Sequence, residues 1–188
     1  MRLLSSLVLV SSALVSAEPD VIRSRRAEAD FALTADPRAP HWKDVDGVVA
    51  ENDAMGRPTP GHRTEIRSRW TGRNLYFLFI CPYEELHLKP EPDTTRETGQ
   101  LWDWDVAEVF AGADFTNIHR YREFQVSPQG EYIDLDIDTR KMNWQGAMKW
   151  DSGFEVKATI DRDRKVWYGE MRIPIHSIDP RPARAGNE

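Results

Sequence analysis

The feature that most restricts the fold of this chain is a series of short, alternating β-type segments separated by turn residues. The pattern predicts three hairpins, with arms at 64–70 and 75–81, at 121–126 and 132–137, and at 154–160 and 166–173. A further apolar run at 107–110 brings the total to about seven strands, and no long amphipathic helix interrupts them. This pattern predicts an all-β fold, an antiparallel β-sandwich of the jelly-roll or immunoglobulin-like kind.

The second arm of the middle hairpin has the clearest alternation. Its apolar residues are Ile133, Leu135 and Ile137, and its acidic residues are Asp134, Asp136 and Asp138. Side chains of a strand point alternately to opposite faces, so we expect one face to be buried and the acidic face to be solvated. The acidic triplet is not an EF-hand, because Thr139 stands where that calcium loop requires Gly and Gln145 where it requires Glu.

The first residues of the chain have the form of a secretory signal peptide, which we assign to 1–17. Met1-Arg2 supplies a positive start, 3–14 is an apolar run, and small residues precede a predicted cleavage site after Ala17. No later stretch reaches about 18 consecutive apolar residues, which predicts that the mature chain has no membrane span. We therefore expect a secreted or periplasmic protein.

The rest of the chain is expected to form one domain. Residues 18–30 are charged and aperiodic, which predicts an irregular lead-in, and 31–188 has a suitable length for a single sandwich. The stretch 177–188 is rich in Pro and has the composition of a loop that leads to another strand. We therefore expect the sandwich to be truncated at its C-terminal strands.

The charge and the cysteine content restrict which partners the chain is expected to bind and which interactions can stabilise its fold. Arg2 is the charged residue of the predicted signal peptide, so its removal takes the formal charge from −6 to −7. An acidic chain without a basic block is not expected to bind nucleic acid. The single cysteine, Cys81, lies in an apolar run and is expected to be a buried structural thiol.

The densest group of chemistry-bearing residues is LWDWDVAEVF at 101–110. In an extended chain, Trp102, Trp104 and Glu108 would share one face. An indole ring can take the apolar C–H face of a pyranose while neighbouring carboxylates bind its hydroxyl groups. A tryptophan of a sandwich also often serves only as half-buried packing, and Trp167 is assigned to that role by its alternation.

Three segments in this order resemble family 9 carbohydrate-binding modules and, more broadly, DOMON-like β-sandwich domains. They are WDWDVAEVF at 102–110, YREFQVSPQG at 121–130 and WYGEMRIP at 167–174. The similarity extends from about Phe31 to the end of the chain. The segments LWDWDVAEVF and SPQGEYIDLDID are most similar to a stand-alone, exported bacterial branch of that family.

The resemblance implies a non-enzymatic module that binds a poly- or oligosaccharide and supports carbohydrate catabolism by a hydrolase. In characterised members, two tryptophans enclose a terminal sugar and structural calcium ions lie nearby. By the motif match, Trp102 would stack on the sugar, Glu108 would bind its hydroxyl groups, and Trp104 and Glu123 would assist. The second tryptophan of the family comes from a late segment, near or beyond the end of this chain. Ca²⁺ is the implied cofactor, and the sequence does not place its ligands.

Other functions remain open at this point. A protein-interaction module of an exported assembly would use the same sheet face. A glycosidase would need two carboxylates across a cleft, for which Asp103, Asp105, Glu108 and Glu123 are available. Haem binding, known among DOMON-like domains, would draw on residues without distinctive spacing: Met142, Met148, His62, His87 and His119.

Overall fold

The chain forms two β-sheets packed face to face, both antiparallel except for β1 at one edge of the large sheet. The computed structural model describes residues 21–53, 55–114, 116–141 and 143–186, so the predicted signal peptide lies outside the described residues. The strands are β1 (Arg25–Arg26), β2 (Val48–Ala50), β3 (Thr64–Trp70), β4 (Asn74–Pro82), β5 (Ala107–Ala111), β6 (Arg120–Val126), β7 (Tyr132–Asp138), β8 (Glu155–Asp161) and β9 (Val166–Pro174). The large sheet has the order β1-β3-β4-β9-β8, with β2 also paired to β3, and the small sheet is β5-β6-β7.

The predicted β-sandwich is confirmed, and all seven predicted strands are present as β3 to β9. Within the segment predicted as an irregular lead-in, Arg25 and Arg26 add a short parallel strand beside β3. The helical elements of the described residues are α1 (Trp144–Ala147), α2 (Ile175–Ile178) and two 3-10 turns, Pro40–Trp42 and Leu101–Asp103. None of the helices in these residues is long and apolar enough to cross a membrane.

The main hydrophobic core lies between the two sheets. Its buried side chains from the large sheet are Phe77, Phe79, Cys81, Trp167, Met171 and Ile173, and those from the small sheet are Ala107, Phe124 and Val126. The inward positions predicted for Trp167 and Cys81 are thus confirmed, and burial raises the pKa of the Cys81 thiol to about 12. Gly169 is required on β9 because a Cβ there would lie 3.0 Å from Val126 Cγ1.

The outer face of the large sheet is covered by residues 31–45, which we call the N-terminal strap. Trp42 and Val45 of the strap pack on Tyr76 and Leu78 of β4. Glu170 of β9 lies opposite Leu78 and is fully buried beneath the strap. Its carboxylate accepts hydrogen bonds from the strap donors Thr34 N (2.6 Å), Thr34 Oγ1 (3.3 Å), Ala35 N (2.6 Å) and Trp42 Nε1 (2.8 Å).

Both faces of β7 are covered at Asp134, which corrects the prediction of a solvated acidic face at that residue. Ile133, Leu135 and Ile137 point outward from the sandwich but are buried by Leu101 and Ala147. The acidic residues point toward the other sheet, where Asp134 is paired with Phe124 across the strands and is 0% exposed. At Asp134 the alternation on β7 therefore separates two buried environments, whereas Asp136 and Asp138 remain partly exposed beside surface arginines and Lys141.

Asp30 joins the start of the strap to the β3–β4 turn and supplies a pH-dependent contribution to stability. Its carboxylate accepts hydrogen bonds from Thr71 Oγ1 (2.5 Å) and from Arg73 Nη2 (2.5 Å). The bond from Thr71 is the largest cause that lowers the pKa of Asp30 from 3.8 to about 2. A depressed pKa stabilises the fold above the unfolded-state value, and this contribution is lost as the pH falls through about 2.

We expect Asp30→Asn to lower the free energy of unfolding by about 1.5–3 kcal/mol at pH 7, the range for hydrogen bonds to a charged group. Urea titrations of both proteins between pH 7 and pH 2 would show the difference shrinking below about pH 4. Asp163→Asn, in the exposed β8–β9 turn, is the matched control. A difference that stayed constant over this pH range would contradict the assignment.

Candidate functional site

The tryptophan-carboxylate motif leads into the outer face of the small sheet. Leu101 is fully buried against that face, and the chain turns around it in the 3-10 turn Leu101–Asp103, closed by Trp104 N donating to Leu101 O (3.1 Å). Trp102 stands on this turn with 39% of its surface exposed. The prediction that Trp102, Trp104 and Glu108 share one face of an extended chain is therefore wrong, because burial of Leu101 makes the chain turn.

Trp104 packs against a neighbouring loop. Its indole stacks on the imidazole of His87, with ring centroids 4.6 Å apart and planes at 25°. The contact is held by two backbone-directed hydrogen bonds, from Asp105 N to His87 O (3.0 Å) and from His87 N to Asp105 Oδ2 (2.7 Å). One face of the Trp104 ring is thus already covered by protein, whereas Trp102 is the more exposed of the two indoles.

Glu108 and Glu123, predicted as sugar-binding carboxylates, lie on the same face of neighbouring strands. The β5–β6 register places Glu108 opposite Gln125 and Phe110 opposite Glu123, and Tyr121 follows on the same side of β6. We call this group of five side chains the outer polar face. Gln125 Nε2 donates to Glu108 Oε1 at 2.6 Å. The amide oxygen of Gln125, Oε1, is buried without a hydrogen-bond partner among the described residues.

The carboxylates of the outer polar face are partly removed from water. Burial raises the pKa of Glu108, and the hydrogen bond from Gln125 opposes that shift. Burial also raises the pKa of Glu123, which is 9% exposed, and the negative charge of Glu108 adds to the increase. Such carboxylates gain most from hydroxyl donors that replace the lost water.

Gln125 was not singled out from the sequence, although a signal for it existed. In YREFQV the residues Tyr121, Glu123 and Gln125 are spaced by two, so a strand brings them to one face. Pairing of Glu108 with Gln125 could not be read from the sequence, because the register of β5 against β6 depends on a loop of eight residues between them.

Exposed aromatic surface and a cleft extend the outer polar face toward the start of β6. The Phe110 ring is 61% exposed and lies 5.7 Å from the Tyr121 ring, centroid to centroid. Tyr121 also lines a cleft of about 370 Å³ together with Ile137, Lys141, Asn143 and Ala147. This volume is within the range of small-ligand sites, and its lining combines apolar carbon with several hydrogen-bonding groups.

A second cluster of carboxylates lies at the opposite side of β7. Glu97, Asp134 and Asp151 each place one carboxylate oxygen within 4.8 Å of the other two. Asp134 Oδ2 accepts hydrogen bonds from Ser152 N (2.9 Å) and Ser152 Oγ, whereas Oδ1 is buried and has no hydrogen-bond partner among the described residues. Burial, followed by the charge of Asp134, raises the pKa of Glu97 to about 8.

The residues of this cluster fit a hard divalent cation. Carboxylate oxygens are the ligands that Ca²⁺ and Mg²⁺ take in proteins, and three of them converge here. A bound cation would supply the partner that Asp134 Oδ1 lacks and would offset the repulsion among the carboxylates. The family resemblance implied Ca²⁺ without naming ligands, and these three carboxylates come from three separate segments of the chain.

Comparison with known proteins finds solved structures with a similar fold. No protein-family profile and no curated protein sequence matches the chain. Among solved structures, the chain is similar to a family 9 carbohydrate-binding module from Caldicellulosiruptor kristjanssonii in complex with glucose. The two share 13% sequence identity and align with a TM-score of 0.55, over 80% of this chain and 69% of that one. The cellotriose complex of such a module from this organism gives 13% identity, a TM-score of 0.55 and coverages of 81% and 67%.

A candidate carbohydrate-binding protein from Bacteroides uniformis is also similar, at 12% identity and a TM-score of 0.55, covering 86% of this chain and 75% of that one. At these identities the likeness concerns the fold. The chain has the β-sandwich fold of family 9 modules, as the resemblance of its motifs predicted.

Proposed function

We propose that this chain is a non-catalytic carbohydrate-binding module that binds a poly- or oligosaccharide on the outer polar face of its small sheet. The observation that carries the proposal is the assembly of Glu108, Glu123 and Gln125 on one face beside the exposed Phe110 ring. Pyranose rings need this combination, because they have apolar C–H faces and a rim of hydroxyl groups. The fold shared with modules that were solved with glucose and cellotriose supports it.

In this proposal each part of the site has a separate task. Trp102 supplies the stacking surface, Glu108 accepts hydroxyl hydrogen bonds while Gln125 orients it, and Glu123 adds a second acceptor. Gln125 Oε1 has no hydrogen-bond partner among the described residues, and burial of the Glu108 carboxylate favours hydroxyl donors that reach it. Trp104 supports the loop through its stack on His87 and is proposed to assist rather than to stack on the sugar.

Further parts of the proposal concern the biological setting. The signal-peptide-like residues 1–17 support export to the periplasm or the exterior. There the module would hold carbohydrate for a hydrolase.

Titration calorimetry of residues 18–188 with glucose, xylose, cellobiose and xylobiose tests the proposal. We expect dissociation constants between micromolar and millimolar. Trp102→Ala should weaken binding about 10- to 100-fold, a loss of about 1.4–2.8 kcal/mol. Trp70→Ala, on β3 of the large sheet, is the matched control and should leave affinity unchanged. Folding of each variant is checked by circular dichroism.

The outcomes separate two functions. Binding that is lost in Trp102→Ala and retained in Trp70→Ala would support a sugar site at the predicted place. Absence of heat with every sugar, from folded protein, would contradict it. The exposed Phe110 would then favour the alternative, a protein-interaction module using the same face.

A further inference from the structure

We propose that the sugar site runs along β6 and takes a neutral glycan chain of three or more pyranose residues, the last of them in the cleft beside Tyr121. This inference rests on the proposed function and deepens it, because a single terminal sugar stacked on Trp102 would leave most of the outer polar face uncovered. The ligand is therefore a chain of sugars rather than a monosaccharide.

The length of the site follows from the pairing of β5 with β6. Trp102 precedes β5, and the first residue of β5 pairs with the last residue of β6. The cleft lies at the other end, because it is lined by Arg120 and Tyr121, the first two residues of β6. From Gln125 to Tyr121 the strand advances about 14 Å, at about 3.4 Å per residue. A surface of that length is longer than one pyranose ring.

Hydrogen-bonding groups are repeated along this length. In one row of the sheet, Gln125 donates to the carboxylate of Glu108 at 2.6 Å. In the next row, the side chains of Tyr121 and Glu123 share a hydrogen bond. The two rows are two residues apart on β6, a distance of about 7 Å. A chain laid along the strand would present the hydroxyl groups of successive sugars to successive carboxylates, which are strong acceptors.

A second stacking surface lies between these rows and the cleft. The ring of Phe110 is 61% exposed, although Phe110 is part of a strand in the small sheet. It lies against Tyr121, with ring centroids 5.7 Å apart and planes at 59°. Tyr121 in turn lines the cleft of about 370 Å³. An exposed aromatic ring beside hydrogen-bonding groups fits the apolar C–H face of a further pyranose.

The charges along this path favour neutral sugars. The two cations that line the cleft are already paired, Arg120 with Asp136 at 3.7 Å and Lys141 with Asp138 at 3.5 Å. The carboxylates of the outer polar face form no ion pair within the part of the chain that the structure describes. A uronic acid would therefore bring its negative charge beside uncompensated carboxylates, and like charges in an interface are costly.

The dependence of affinity on chain length tests the inference. Calorimetry compares glucose, cellobiose and cellotetraose, with xylobiose and xylotetraose as a second series. From the disaccharide to the tetrasaccharide, the affinity of the wild type is expected to rise at least about 10-fold, which corresponds to about 1.4 kcal/mol. Phe110→Ala should remove this gain and leave the affinity for the disaccharide unchanged, because the shorter ligand does not reach Phe110.

Two variants and one further ligand serve as controls. Phe110→Trp keeps an aromatic surface at this position and should retain the gain. Met55→Ala removes a similarly exposed apolar side chain, 78% exposed in the β2–β3 loop of the large sheet, and should bind every sugar as the wild type does. A galacturonic acid tetrasaccharide should bind at least about 10-fold more weakly than cellotetraose, because of its negative charges. Equal affinity for these two ligands would overturn the preference for neutral sugars.

Amide chemical shifts locate the far end of the site. Cellotetraose should shift the amide signals of Thr139, Lys141 and Gly146 at the cleft, and glucose should leave them unchanged. Tetrasaccharide binding without these shifts, equal affinities for disaccharide and tetrasaccharide, or a gain that survives in Phe110→Ala would overturn the extended site while the proposed function stands. Absence of binding with every sugar would overturn both.

Discussion

Glu170→Ala is expected to lower the free energy of unfolding by about 4 kcal/mol, a large part of the total stability of a single domain. The carboxylate of Glu170 accepts hydrogen bonds from four donors of the N-terminal strap. Its removal leaves buried donors, including Ala35 N and Trp42 Nε1, without partners. A buried donor that loses its acceptor costs about 1–3 kcal/mol, more than an average hydrogen bond contributes.

Urea unfolding, followed by tryptophan fluorescence, measures this loss. Trp42 is fully buried against the large sheet, so release of the strap should also shift its emission. Glu155→Ala on β8 is the matched control, because its carboxylate is 56% exposed and its pair with Arg172 lies at the surface. We expect that variant to lose less than about 1 kcal/mol. Equal losses in the two variants would contradict the role assigned to Glu170.

Phe124→Ala is expected to destabilise the sandwich by about 3–5 kcal/mol. Phe124 is fully buried where the two sheets meet, with its ring 5.3 Å from Phe154 and 6.0 Å from Trp150 in edge-on arrangements. The substitution removes apolar burial and leaves a cavity that rigid strands on both sides cannot close. Since β6 also carries Glu123 and Gln125, the cavity would lie directly behind the outer polar face.

Chemical denaturation of Phe124→Ala and Phe110→Ala shows whether the loss in unfolding free energy comes from the burial of Phe124 or from the loss of any phenylalanine. Phe110 lies on β5 of the same sheet but is largely exposed, so its replacement should cost about 0.5 kcal/mol or less. A loss of similar size in both variants would show that Phe124 does not have the packing role described here.

The sequence predicted those features of the fold that are set by local residue patterns. Hairpins β3–β4, β6–β7 and β8–β9 were predicted within one or two residues, because turn composition and alternation set their bounds. The burial of the two faces of each strand was predicted less well. The Asp134 face of β7 was assigned to solvent, since alternation reports only that the two faces differ and not that a second sheet covers one of them.

The candidate site was predicted in part for a similar reason. Trp102, Glu108 and Glu123 lie where β5 and β6 begin or pair, but the turn at Leu101 changed the direction of Trp102. The turn forms because Leu101 is buried against β7, a contact between residues more than thirty positions apart. The carboxylates of Glu97, Asp134 and Asp151 converge only after three segments have folded, so no spacing in the sequence indicates them.

The attachment of the strap to Glu170 has a consequence for the time course of folding. Strand β4 pairs with β9 about a hundred residues later, and strap residues 34–42 bind a carboxylate that is 128 to 136 positions away. Neither can form until nearly the whole chain is available, and contacts of such sequence separation slow folding into the millisecond-to-second range. A chain emerging N-terminus first would therefore form its local hairpins early but could close the large sheet and bind the strap only once β9 has appeared.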